Sequence, residues 1–205
     1  MMEQEKIISE ANKYVMPAVD DYLGARCLLL NNIFVGLTLA HEAVEKLIKA
    51  LLVLEKIEIP KSCHKLSTLA KLLINRDASK YKILNNNTKF IHQLDLHYGW
   101  RYYNGDLTKR SQTKSPEDLH PFDILWVTLY KIYMGYLPQD YRFRTYLLSF
   151  LLDERLNEYT NWGNILIENN KAIEEDLDVW RAEWKNIFKK KIVNQQKTRK
   201  INLWK

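Results

Sequence analysis

Apolar positions recur along this chain in steps of three and four, the spacing that lines one side of an α-helix. The clearest run extends from about Ile33 to Glu55, where Leu37, Ala40, Val44, Leu47, Leu51 and Leu54 form one stripe. Gly36, Ala40, Ala43 and Ala50 lie on or near that stripe and allow a neighbouring helix to approach closely. On the outer side the pattern sets Glu42–Lys46 and Glu45–Lys49 as i,i+4 pairs, acid first, each adding about 0.2–0.5 kcal/mol. Before this run, a helix is predicted from about Glu3 to Asn31. Pro17 removes an amide donor inside it and is expected to kink or split it. Leu23, Cys27 and Leu30 continue the stripe to a cap and turn at Asn31-Asn32.

Beyond Ile59-Pro60 the pattern restarts. Ser62 is a candidate N-cap for a third helix, His64 to about Ile74, with Leu66, Leu69, Leu72 and Leu73 inward. Asn75 to Asn87 reads as a polar loop. A fourth helix is predicted from about Thr88 to Tyr103, with Phe90, Ile91, Leu94, Tyr98, Arg101 and Tyr102 on one broad face and Asn104-Gly105 at its end. A fifth begins between Pro116 and Pro121 and carries Phe122, Leu125, Trp126, Leu129, Ile132 and Tyr133 towards Tyr136, where Pro138 stops it. The remainder is less regular: a helix from Arg142 to about Tyr159, a turn at Asn161–Asn164, and a helix from Glu174 to Lys191 with Leu177, Trp180 and Trp184 on one face. The reading is all-α: a bundle of four to five helices over residues 1–138, then a helical C-terminal extension over residues 139–205.

Composition agrees with this. Six glycines and five prolines in 205 residues are too few turn formers for a sandwich or barrel of this length. The net charge of +6 is unevenly distributed. Lys185 to Lys205 holds eight basic and no acidic residues, which leaves 23 basic and 25 acidic side chains elsewhere. A basic end of this kind fits an electrostatic partner such as nucleic acid. The two cysteines, Cys27 and Cys63, read as buried or half-buried thiols in a reducing compartment. With the five histidines they make no zinc spacing, so neither metal nor cofactor is expected. The N-terminus lacks the apolar core of a signal peptide, and the one long apolar run carries His41, Glu42, Glu45, Lys46 and Lys49. Charges there are costly in lipid, so the expectation is a cytoplasmic protein without a membrane span.

The segment Ala40 to Lys56, AHEAVEKLIKALLVLEK, resembles the second helix of HEPN domains, with Val44-Glu45-Lys46 and Lys49-Ala50 supplying the typical pattern. His64-Lys65-Leu66-Ser67-Thr68-Leu69 is similar to the start of that family's next helix. The helix ending in Arg101-Tyr102 is similar to its fourth, and the likeness spans about Val19 to Leu137. It implies a helical bundle that is often a homodimer. Its members include metal-independent ribonucleases, toxin or defence components, partners of small nucleotidyltransferases, and binding modules without catalysis.

The ribonucleases among them use an Arg, a polar residue beside it, and a His after four to six residues. Arg neutralises the scissile phosphate and His moves a proton. Arg101 matches the first position, but Tyr102 follows it, and Asp106, Leu107 and Thr108 stand where His belongs. The first downstream His is His120. His97 lies one turn before Arg101 on the same face and is the other candidate base. His64 reads as a packing or capping residue. Trp100-Arg101-Tyr102-Tyr103 with Lys109-Arg110 forms an aromatic and basic run in which tyrosines could stack on bases and cations meet phosphates. The candidate nucleic-acid contacts are therefore Arg101, Tyr102, Tyr103, Lys109, Arg110, Lys189, Lys190 and Lys191, and the candidate catalytic residues Arg101 and His97. The preferred reading is a dimeric module binding RNA or a protein partner without catalysis. The alternatives are a divergent metal-independent ribonuclease and a helical partner of a nucleotidyltransferase.

Overall fold

The stripe through Val44 becomes the axis of the fold. In the computed structural model, which describes residues 2–99, 115–142, 145–152 and 162–185, helix α2 (Gly36–Leu54) buries Leu37, Val44, Leu47, Ile48, Leu51 and Leu52. Each such side chain contributes roughly 1.5–3 kcal/mol of hydrophobic free energy. α1 (Met2–Leu30) lies along α2 in the most extensive helix contact, and α3 (Leu66–Arg76), α5 (Thr88–Gly99) and α6 (Ser115–Tyr136) close around its other sides. Ala40, Ala43 and Ala50 are fully buried, as close packing of these helices requires. Every regular element among the described residues is α-helical.

Pro17 does not split α1, which runs unbroken from Met2 to Leu30. Val15, Ala18, Val19 and Tyr22 around it are buried, so tertiary packing holds the turn that local propensity would give up. Asn32, with φ of 57°, turns the chain at the end of α1 in the left-handed conformation that Asn tolerates. Cys27 is exposed rather than buried: it sits on the outer side of α1, and its carbonyl accepts from the Asn31 side chain at 2.8 Å.

The expected polar loop before α5 contains a short helix, α4 (Lys82–Asn86), anchored by buried Tyr81 and Leu84. After α6 come α7 (Gln139–Arg142), α8 (Tyr146–Leu152), α9 (Trp162–Ile167) and α10 (residues 171–185). α9 replaces the turn read at Asn161–Asn164, because Leu166 is apolar enough to dock on the core. Ile173, Leu177 and Trp180 of α10 join the same core.

One buried guanidinium ties these late helices to the first. Arg26, fully buried in α1, pairs with the Asp123 carboxylate of α6 and donates to the carbonyls of Ile165 (2.9 Å) and Glu168. Tyr22 donates to Asp123 at 2.8 Å, and Asn170 donates to the Tyr22 hydroxyl at 2.8 Å. The Tyr22 ring stacks on Trp126 at 3.9 Å. A buried charge is tolerated only when its partners are this complete.

Candidate functional site

Steps of four along α2 place His41, Glu45 and Lys49 on one side of the helix. That side is not the outside. Glu45 has only 8% of its side chain exposed, because α3 and α5 fold over it. A carboxylate buried this far needs partners, and it has them. Lys49 Nζ lies 2.7 Å from Oε1, and His64 Nδ1 is 3.1 and 3.3 Å from the two oxygens. His41, fully buried, sets Nδ1 3.8 Å from Oε2. The other pair, Glu42–Lys46, is half-buried, and Lys46 also bonds Asp21 of α1.

Asp95 of α5 completes the cluster. His41 Nε2 is 3.3 Å from its Oδ1. The same carboxylate accepts the backbone N–H of Leu66 (2.7 Å) and Ser67 (3.1 Å), the first two residues of α3. A helix start leaves such donors unsatisfied, and α3 has no cap of its own: Lys65 precedes it in extended conformation. Ser62 does not cap it, being part of a turn with φ of 54°. Burial opposes the charge on Asp95, but hydrogen bonds from His41, Ser67 and Leu66 outweigh it and hold the carboxyl below its usual range.

The Tyr98 ring of α5 stacks on His41 at 4.1 Å between centroids and lies 6.2 Å from the ring of His64. His64 keeps 54% of its side chain exposed, and the flanking Lys61 and Lys65 are exposed. Glu45 and Asp95 are therefore engaged from within, while Lys61, His64 and Lys65 are exposed. His64 neither packs in the core nor caps α3.

His97 stands elsewhere. It is 3% exposed, with the Phe34 ring edge-on at 4.8 Å, and burial lowers its pKa to about 4. His120 is exposed on α6, beside a groove of about 310 Å³ shared with Leu29, Asn32 and Asn169. Arg101, Tyr102, Tyr103, Lys109, Arg110, Lys189, Lys190 and Lys191 lie outside the described residues. α5 is described to Gly99, one turn past Asp95. Among the described residues no group of three or more His, Cys, Asp or Glu could hold a metal ion, and no helix is long and apolar enough to cross a membrane.

Sequence reasoning overlooked Asp95 and the burial of Glu45. A carboxylate in the middle of the most apolar helix was the available signal for Glu45. Asp95 gave none, because its partners are 28, 29 and 54 residues away.

Residues 34–118 match the family model described as the HEPN domain, inside the stretch where the resemblance was read. No curated protein and no solved structure matches the chain.

Proposed function

We infer that this chain, which carries a HEPN domain at residues 34–118, is a binding module for RNA. Its contact surface is the side of the bundle where α3 begins and α5 ends, continued by Arg101, Tyr102, Tyr103, Lys109 and Arg110 and supplemented by Lys189, Lys190 and Lys191. It works in the cytoplasm as a homodimer, and no catalysis is assigned to it.

One observation carries the reading. At the start of α3 the carboxylates of Glu45 and Asp95 are engaged by protein donors, while His64, Lys61 and Lys65 are exposed. Tyr98 lies against this patch, and Arg101 follows it by three residues in the sequence. An outward cationic rim followed by an aromatic and basic run suits a flexible polyanion with stackable bases.

The test is binding of labelled single-stranded and structured RNA across a salt series. Wild type is expected to lose affinity steeply with salt, with a slope of roughly 0.7 per neutralised phosphate on single strands. Arg101→Ala and deletion of Lys189–Lys205 are each expected to weaken binding and flatten the slope. No RNA binding at low salt would overturn the reading and turn the same surface towards a protein partner. Sedimentation of the free protein checks the dimer.

The ribonuclease reading has less support. His97 is buried beneath Phe34, out of reach of a phosphodiester. Incubation of wild type and Arg101→Ala with structured RNA in EDTA separates the two readings. Cleavage by wild type alone would replace binding with metal-independent hydrolysis.

A further inference from the structure

We propose that His64 is a phosphate-contacting residue that meets the RNA backbone as an imidazolium, so that RNA binding takes up a proton. The proposal rests on the RNA reading above and assigns it a residue and a regulation.

The geometry fixes which nitrogen does what. Nδ1 is 3.1 Å from Oε1 and 3.3 Å from Oε2 of Glu45, so it donates to that carboxylate in either protonation state. Glu45 cannot turn away. It is buried, held by Lys49 at 2.7 Å, and flanked by His41. Nε2 is the remaining nitrogen, and nothing among the described residues bonds it. In neutral His64 it is an acceptor and repels a phosphate oxygen; protonated, it is a charged donor. Only the protonated form suits a phosphodiester.

The surroundings select an anion. From α2, His64 faces Glu45, which Lys49 and His41 also flank. From α5 it faces the phenol of Tyr98, while Asp95 is occupied by His41 and by the amides of Leu66 and Ser67. The loop between α2 and α3 that carries His64 also holds Glu55, Lys56, Glu58, Lys61, Cys63 and Lys65. Glu55 is engaged by Lys80, Tyr81 and Tyr136, Glu58 is exposed six residues before His64, and Lys61 and Lys65 are the nearest charges in sequence. A phosphate oxygen at Nε2 finds Glu45 and Asp95 already engaged by protein donors. It completes a row of carboxylate, imidazolium and phosphate, each joined by a charge-assisted hydrogen bond. The proton comes from solvent on binding and returns to it on release.

The test is calorimetry of the full chain with a single-stranded RNA oligonucleotide, in two buffers of different ionisation enthalpy, from about pH 6 to about pH 8, where an imidazole changes charge. Wild type is expected to take up a proton on binding and to lose affinity as pH rises, by at most about tenfold per pH unit, the limit for one linked proton. His64→Gln keeps a donor but cannot be protonated; its affinity should vary little with pH and its proton uptake should vanish. Lys61→Gln with Lys65→Gln should flatten the salt dependence and leave proton uptake intact. A His64→Gln protein with wild-type pH slope and proton uptake overturns the proposal while the RNA reading stands. No binding by wild type at any pH overturns both. His64 is half exposed, and a thermal melt of His64→Gln confirms that the variant is folded.

Discussion

Gly36 shows how closely α1 and α2 approach. A Cβ there would sit 2.8 Å from Leu29 Cγ and 3.1 Å from the Ala25 carbonyl oxygen. Leu29 is buried and the carbonyl belongs to α1, so neither yields cheaply. Gly36→Ala should destabilise the fold by about 1–3 kcal/mol despite its better helix propensity, measurable by urea unfolding. Among the described residues, His97 and Glu55 each contribute to the acid limb of stability. His97 titrates at about 4 when folded, because burial disfavours its charge, against about 6.5 when unfolded. Its contribution is fully present above pH 6.5 and is lost as pH falls towards 4; His97→Gln should flatten stability across that window. Burial also works against the charge on Glu55. Hydrogen bonds from Lys80, Tyr136 and Tyr81 overcome this and bring its pKa down to about 2, so its contribution persists above about 4.5 and disappears only towards pH 2. Glu55→Gln should remove that second, more acidic step from a stability profile followed by circular dichroism.

Among the elements, α3 depends most on a residue outside itself. Its first two amides are satisfied by Asp95 of α5. Asp95→Ala should cost about 1–2 kcal/mol, the range for losing a helix cap, and also release His41. Hydrogen exchange at Leu66 and Ser67 should accelerate more than elsewhere in α3. Asp95→Asn, which keeps one acceptor oxygen, should cost less. This dependence marks where the sequence stopped being legible. The stripe of α2 and the apolar run of α6 can be read from spacing alone, because burial on one side imposes a period. Ser62 was read as the cap because a side chain just upstream of a helix is the commonest solution. The real cap is an acid 29 residues later in the chain, and no local pattern signals it. Pro17 failed in the opposite sense: the local signal was strong, and buried neighbours on both sides of it overrode it. Glu45 was assigned outward by its pairing with Lys49. That pairing is real, but it lies under α3 and α5, and the rim built on it was visible only once three helices were in place.

Across the whole molecule, the Arg26 cluster joins α1, α6 and the turn after α9. Removing one charge strands the other in the core. Arg26→Met or Asp123→Leu alone should cost about 3–5 kcal/mol, whereas the double variant should recover much of that loss, because an apolar pair of similar volume leaves no charge unpaired. A double-mutant cycle by chemical unfolding measures the coupling. The same cluster explains why residues 162–185 share the core of the bundle. The carbonyls of Ile165 and Glu168 are bound by a group buried in the first helix.

Those two contacts span 139 and 142 residues. A ribosome makes the chain from its N-terminus, so α1 emerges with a guanidinium whose partners do not yet exist. Asp123 comes first and can neutralise it; the two carbonyls follow only after about forty further residues, a delay of a few seconds at ordinary elongation rates. Until then the first helix holds a charge that only the last described helices finish sealing from water. A nascent chain arrested near residue 150 should be markedly more sensitive to protease in α1 than one carried past residue 185, although α1 was complete in both.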